Sequence, residues 1–460
     1  MIVVILETGV FFIIGYFVLR TYLKRLLYLS HFVCILIAFS ISCTILLEVS
    51  FHIFQKDENL SGHNSGLPIV LWWTPHVGFK NGIRKCYNRE CVVTHDRTFW
   101  NQSGVKAFAF YGSDIDPEDL PLPKMDKFWA LIHEESPKNT PILLSDDFLK
   151  LFDFTSTFSR TSHFPLTALH LNNLNDIRDL KYFVPVDEKN AYVKKGEIGS
   201  VLYIQSDCDT FTDRDAYVAE LSKYISVDSY GRCLNNAKLP ENLKNVSSFY
   251  SSDFLRFVAR YKFTLAIENA VCDDYITEKL WRPLMVGSVP IYFGSPTVRD
   301  WLPNHESAIL ITDFNGPRDL SNYLHKLNSN DKLYELMLSH KLEGTISNQM
   351  LKNMIKSRRW KWHDDDNYGN YIDEFECQIC LYLHGDKLLT KNTKRSHYSC
   401  SLPYSLLTGE KNKSNQWNDI LRYEKCHGEA LSSFVSSQSV NYADTDVRRK
   451  IDELISEEKC

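Results

Sequence analysis

Residues 263–296 read FTLAIENAVCDDYITEKLWRPLMVGSVPIYFGSP. The opening FTLAIEN is an apolar run of strand length whose carboxyl end carries Glu268 and Asn269, and VPIYFG at 289–294 is a second such run. Between them a helical pattern begins near Tyr275, for which Asp274 is a suitable N-cap. Strand, helix and strand in succession is the unit of a parallel sheet covered by helices. Ligands of such sheets sit outside the carboxyl ends of the strands, and a helix that starts there turns free N–H groups and the positive end of its dipole toward the same place. An anion is expected, with Lys279 adding a full charge and with Glu278 and Asn269 suited to sugar hydroxyls. The plainer reading makes Glu278 and Lys279 a solvated helix face and Asn269 a turn residue. The flanking strands and the GSP turn at 294–296 favour the cleft. Pro283 stands against an unbroken helix, since it leaves a carbonyl unpaired and bends the axis.

The same alternation extends through the chain. IVLWW (69–73), AFAFY (107–111), FWALI (128–132) and YFVPV (182–186) are strand-length runs in the first half. VLYI (201–204), a helical RDAYVAELSKYI (214–225), VDSYG (227–231) and AILIT (308–312) follow in the second. An α/β protein with two Rossmann-like domains facing a cleft is the expected fold, with the break near residue 196. With 460 residues the chain is long enough for both cores. Its 44% hydrophobic and 24% charged content is globular, and a net charge of −5 argues against a nucleic-acid partner. From about residue 392 the chain is polar and is expected to be an irregular tail.

The compartment is read from the amino terminus. LLYLSHFVCILIAFSISCTILL at 26–47 has no full charge and is long enough to cross a bilayer, predicting a signal anchor at 26–49. Arg20, Lys24 and Arg25 precede it, which places residues 1–25 in the cytosol or in a further hydrophobic extension (2–19), and everything beyond a short stem at 50–65 in the lumen. A buried helix or a cleaved signal peptide fits this run less well. Ten of the twelve cysteines lie beyond the span, an even number that reads as a disulfide framework in an oxidising compartment. The spacing of Cys377, Cys380, Cys400, Cys426 and His427 suits zinc less well, because structural zinc motifs keep tighter second halves. Sequons at Asn59, Asn101, Asn245 and Asn412 are glycosylation candidates.

The 263–296 run resembles the donor-binding motif of the α-1,3-fucosyltransferases, glycosyltransferase family 10. VLWWTP (70–75), AFAFYGSD (107–114), HEESPKN (133–139), FDFTSTFSR (152–160), VLYIQSDCDTFTDRDAYVAEL (201–221), VDSYGRC (227–233) and YIDEFECQIC (371–380) continue the likeness over roughly residues 66–385. The wording is most like the branch typified by fucosyltransferases 10 and 11, described as protein O-fucosyltransferases of EMI domains in the endoplasmic reticulum. The resemblance implies a GT-B fold, with an acceptor half at 66–195, a GDP-fucose half at 196–360 and a carboxyl-terminal crossover at 361–391. It implies donor contacts from Asn269, Tyr275, Glu278 and Lys279, a pyrophosphate arginine at Arg214, and a catalytic base at Glu135, the glutamate before Ser-Pro. By residues alone Arg214 is equally a surface partner of Asp213 or Asp215. The resemblance also implies that Cys377 and Cys380 tie back to Cys86 and Cys91; Cys208 and Cys233 are further disulfide candidates. Asp153 stands where the Lewis-type relatives usually have Asn.

Transfer from GDP-β-L-fucose to an α linkage inverts the anomeric carbon, so one base and charge stabilisation of the diphosphate suffice. No cofactor and no metal is expected. Asp207-Cys208-Asp209 and Asp114-Ile115-Asp116 match the D-x-D of metal-dependent relatives, but such pairs are common on surfaces. The expected partners are GDP-fucose, a protein or glycoprotein acceptor and the endoplasmic reticulum or Golgi membrane, in single-pass type II topology. A serine or threonine hydroxyl is the expected acceptor. An N-glycan GlcNAc is the alternative, and a lumenal GDP-fucose- or client-binding protein without catalysis is the rival from another class.

Overall fold

The computed structural model describes residues 66–122, 124, 126–244, 250–362, 370–386, 398–412, 415–437 and 443–460. Leu67–Cys460 form one compact unit. Among the described residues no helix is long and apolar enough to cross a membrane; the expected span at 26–49 lies outside them, as do Asn59 and Asn245.

The first sheet contains β1 (Ile69–Thr74), β2 (Gly82–Cys86), β3 (Arg89–Thr94), β4 (Val105–Tyr111), β5 (Phe128–His133) and β6 (Phe154–Thr157), in the order β2-β3-β1-β4-β5-β6. Its neighbours run parallel except for the β2–β3 hairpin. The second sheet contains β7 (Val201–Gln205), β8 (Val227–Gly231), β9 (Phe263–Ile267), β10 (Val289–Phe293) and β11 (Ile309–Leu310), all parallel, in the order β11-β10-β9-β7-β8. Strands covered on both faces read as continuous apolar runs instead of alternating, and β10 is buried at every position. Without the antiparallel edge strand β2, both sheets have the doubly wound order 2-1-3-4-5. Each therefore has a switch point, between β1 and β4 in the first and between β7 and β9 in the second, where a crevice opens at the carboxyl ends.

Helices α1 (Val186–Lys194), α2 (Arg214–Leu221), α3 (Ser252–Ala259), α4 (Glu278–Val286), α5 (Pro317–Asn328), α6 (Tyr371–Leu383), α7 (Trp417–Ser436) and α8 (Asp444–Ser456) account for most of the covering layers. Tyr217 and Leu221 of α2 and Leu320 and Leu324 of α5 pack with Leu265 and Ile267 on one face of the second sheet. Leu280, Trp281 and Leu284 of α4 pack with Ala266 and Tyr292 on the other. The chain then returns to the first sheet, where Phe375 and Ile379 of α6 join the core of Val70, Trp72, Ala107 and Ile132. Disulfides Cys86–Cys377 and Cys91–Cys380 staple α6 to the β2–β3 hairpin. Buried Glu376 accepts from Trp72 Nε1 at 2.8 Å and from Arg84 Nε at 2.5 Å.

Three expectations are corrected. YFVPV at 182–186 is no strand: Pro185 caps the start of α1, and Tyr182, Phe183 and Val184 pack as partly buried loop residues. AILIT is reduced to the two-residue β11. The tail from 392 is not irregular, because α7 and α8 form a helical pair closed by Cys426–Cys460. Its pattern is hard to read because small residues, Cys426, Gly428 and Ala430, do much of the packing of α7. A Cβ at Gly428 would stand 2.2 Å from Ser145 Oγ, so the helix lies directly on the 141–149 segment of the first half.

Candidate active site

The second switch point holds a cavity of about 460 Å³, lined by Ser206, Asp207, Asn269, Glu278, Lys279 and Arg282 among others. β9 delivers Glu268 and Asn269 to its edge. Glu268 is wholly buried; it accepts from both the backbone N–H and the hydroxyl of Thr277 at 2.8 Å and lies 3.6 Å from Lys279 Nζ. A buried carboxylate needs such partners, and these set where the next helix begins. The N-cap is accordingly Thr277, whose hydroxyl accepts from Lys279 N, and not Asp274. Helix α4 starts at Glu278, three residues later than the expected Tyr275, which puts Glu278 and Lys279 both in its first turn. Asp274 instead joins the halves: at a φ of 65° it accepts from Arg160 of the first half, Thr297 and Trp301. Pro283 lies inside α4, as the sequence required, without breaking it.

Arg214 is fully buried at the start of α2, which excludes the surface ion pair. Its guanidinium donates to the Ile267 carbonyl and Asn269 Oδ1, both at 2.8 Å, and to the Asp207 carbonyl at 2.6 Å, while its Nε–H has no partner among the described residues. It thereby clamps the carboxyl ends of β7 and β9 around the crevice. Gly231 closes the wall at φ 89°, where a Cβ would stand 2.4 Å from the Gln205 carbonyl, and Cys208–Cys233 ties the loops after β7 and β8 together. Burial opposes the charge of Glu278, but Lys279, His170 and Arg282 outweigh it and hold the carboxyl below its ordinary range. Tyr275 is not brought to the cavity lining; it is buried against Phe158, with its hydroxyl near Ser136.

The first sheet presents HEESP at the end of β5. His133 is buried, bonded to the Tyr398 hydroxyl at 2.8 Å, and pushed down to about 3 by burial, so it is neutral. Glu134 turns inward, where the hydroxyls of Tyr111 and Tyr371 donate to it at 2.7 and 2.9 Å. Glu135 points the other way and is exposed. It is nonetheless ringed by protein, as at the mouth of a cleft: burial and the negative Glu278 raise its pKa against the pull of Lys279. A carboxylate of the first half thus lies within electrostatic reach of Glu278 and Lys279 of the second.

Two family models match this chain: "Glycosyltransferase family 10 (fucosyltransferase) C-term" over residues 194–397 and "Fucosyltransferase, N-terminal" over 65–167. "GDP-fucose protein O-fucosyltransferase 3" of Homo sapiens is 49% identical over 345 residues, covering 73% of this chain and 71% of that one. The chain belongs to the glycosyltransferase family 10 fucosyltransferases. The Xenopus laevis protein of the same name is 42% identical to this fucosyltransferase over 395 residues, 83% of this chain and 84% of that one. The solved structure described as "Crystal Structure of alpha1,3-Fucosyltransferase" aligns at 19% identity and a TM-score of 0.41, over 66% of this chain and 94% of that one.

Other residues singled out in this fucosyltransferase have local roles. Asp153 lies at the amino-terminal edge of the first sheet, opposite Glu135; it accepts from Trp129 N at 2.9 Å and pairs with Lys124 at 3.0 Å. The acids of the D-x-D match do not converge: Asp207 pairs with Lys138, and Asp209 accepts from Gln416 and Trp417. Cys272–Cys400 completes the five disulfides that take up all ten cysteines beyond residue 51. Asn101 is exposed, whereas the Asn412 amide is bonded to Asp213. Glu268 is the site residue that sequence reasoning left without a role. The available signal was a carboxylate placed directly after a buried strand, which obliges a partner nearby.

Proposed function

We infer that this enzyme is an inverting fucosyltransferase of GT-B arrangement that moves L-fucose from GDP-β-L-fucose to a hydroxyl group of a protein. The observation that carries the reading is the position of Glu135, on a loop of one sheet within electrostatic reach of Glu278 and Lys279 of the other. Glu135 takes the proton of the acceptor hydroxyl as that oxygen bonds to the anomeric carbon. The bond from this carbon to the β-phosphate oxygen breaks with its electron pair, and GDP departs. Lys279, at the positive end of the α4 dipole, stabilises the departing diphosphate; Arg214 supports it from behind, with its Nε–H left to donate. Glu278, kept ionised, and Asn269 accept from sugar hydroxyls, and Tyr275 holds the HEESP loop through Ser136. No metal is needed: Asp207 and Asp209 are bonded to different partners, and the diphosphate has cations of its own.

The names of the relatives support a protein acceptor, and the proposed acceptor group is a serine or threonine of an EMI-type domain. Five disulfides support an oxidising lumen, in which residues 26–49 anchor the chain. Protease added to intact microsomes then spares everything beyond Phe51, and digestion of that part would refute the topology. The acceptor is tested by offering the purified chain GDP-fucose with a folded EMI domain and an N-glycan side by side. Fucose on a side-chain hydroxyl is expected. Transfer to GlcNAc alone overturns the acceptor, and transfer to neither, with GDP-fucose still bound, would leave a binding protein.

A further inference from the structure

Three features have no task in this mechanism: Lys138 at the end of HEESPK, the acidic pair Asp207 and Asp209, and the start of α7. They meet at one place. Lys138 Nζ lies 3.0 and 3.2 Å from the two carboxylate oxygens of Asp207, with only a tenth of its side chain exposed. The same ammonium lies 4.9 Å from the centroid of the Trp417 indole. Trp417 Nε1 donates to Asp209 at 2.9 Å, Gln416 Nε2 donates to the other oxygen of Asp209 at 2.7 Å, and the Trp417 ring packs on Phe211 at 5.2 Å. Asp207 in turn lines the donor cavity, and its carbonyl is held by Arg214. On the other side, Lys138 sits in a closed turn that begins at Ser136, the residue after Glu135: Asn139 N donates to the Ser136 carbonyl at 2.9 Å, and Lys138 N to Ser136 Oγ at 3.3 Å.

We propose that the Lys138–Asp207 ion pair, roofed by Trp417, is a latch between the halves that sets the position of Glu135 relative to the donor. These are positioning residues: none of them takes the proton or leaves with the diphosphate. An exposed ion pair contributes almost nothing to stability, but here the lysine is largely buried, though 37% of the Asp207 side chain is exposed, and its ammonium lies against an indole; cation–π attraction strengthens as the cation is desolvated. Displacement of a catalytic group by about 1 Å can lower turnover on the order of a hundredfold, so a pair three residues from the base is well placed to matter. Each acid of the D-x-D match is engaged by a partner from another part of the chain.

The proposal rests on Glu135 being the base, and the full chain is assayed so that the two ideas fail separately. GDP-fucose affinity by calorimetry, kcat and acceptor KM are measured for wild type, Lys138→Met, Lys138→Arg and Trp417→Leu. Expected are a fall in kcat of about tenfold or more for Lys138→Met, a donor Kd within about twofold of wild type, and substantial recovery in Lys138→Arg, which keeps the charge. Adding Asp207→Asn to Lys138→Met produces little further loss, because the two act as one unit. Trp417→Leu keeps both charges but admits water, so its kcat becomes sensitive to salt; this variant carries the test if Lys138→Met does not fold. Unchanged kcat in the folded variants overturns the latch. A donor Kd that weakens in step with kcat also overturns it and makes Lys138 a ligand of the diphosphate. A wild-type chain that transfers no fucose refutes the catalytic reading instead.

Discussion

The carboxyl edges of the two sheets share a strand order and differ in how their polar groups are arranged. At the second edge Arg214, Asn269, Glu268, Thr277 and Lys279 are bonded or ion-paired to one another, so the cavity keeps its shape without a ligand. At the first edge the inward groups His133 and Glu134 are buried, each partnered through one polar atom and with the other, His133 Nε2 and Glu134 Oε2, unpaired among the described residues, and of these three neighbours Glu135 alone reaches out. The contrast follows from the two tasks proposed for these edges. A diphosphate has the same charge and size at every turnover, and a rigid set of donors binds it without reorganising. An acceptor hydroxyl needs one proton acceptor in the right place, and the rest of that edge is free to suit the acceptor.

The largest expected effect tests the exposed member of the first edge. Glu135→Gln keeps shape but cannot take a proton, so turnover should fall roughly a hundred- to ten-thousand-fold, while donor affinity by calorimetry stays near wild type. Glu134→Gln should lose less than an order of magnitude, because its carboxylate is engaged by Tyr111 and Tyr371. The reverse pattern would exchange the two glutamates and break the comparison. At the second edge, Lys279→Ala removes a charged donor of about 1.5–3 kcal/mol. A donor Kd weakened about ten- to a hundredfold is expected, with acceptor KM little changed; unaltered donor affinity would show that the prearranged edge does not hold the diphosphate.

A smaller effect separates the edges by pH. Burial and Glu278 raise Glu135 above its ordinary value of 4.5, and a base works only when ionised. Activity should therefore be lost as pH falls through a limb lying above 4.5 in the kcat/KM profile. Glu278 is shifted the other way and stays ionised across that range. A limb at or below the ordinary value would place Glu135 in open solvent. The smallest effect is that of a chelator: EDTA should leave most activity intact, whereas complete loss restored by manganese would show that Asp207 and Asp209 exchange their present partners for a metal.

The second edge was the more legible in the sequence, because its strand, loop and helix follow one another within 263–296. Even there the helix start was misplaced. Asp274 and Thr277 are both good caps, and what separates them is Glu268, which bonds Thr277, and Arg160, more than a hundred residues away, which occupies Asp274. At the first edge, opposite directions for Glu134 and Glu135 follow from an extended backbone. Which of them turns inward depends on Tyr371, more than two hundred residues further on.

The sequence by itself determined the parallel α/β halves, the donor-side motif and the family, because apolar runs, helix periodicity and motif spacing act over short stretches of chain. It also determined that the cysteines beyond residue 51 would pair. Only the tertiary structure decided that Asp207 holds Lys138 and Asp209 holds Trp417, that the polar tail folds as α7 and α8 against the first half, and that Arg214 lies behind the cavity wall. Each of these is a choice among chemically equivalent local options. It is made by side chains whose partners, polar or apolar, are brought near only when distant parts of the chain pack together.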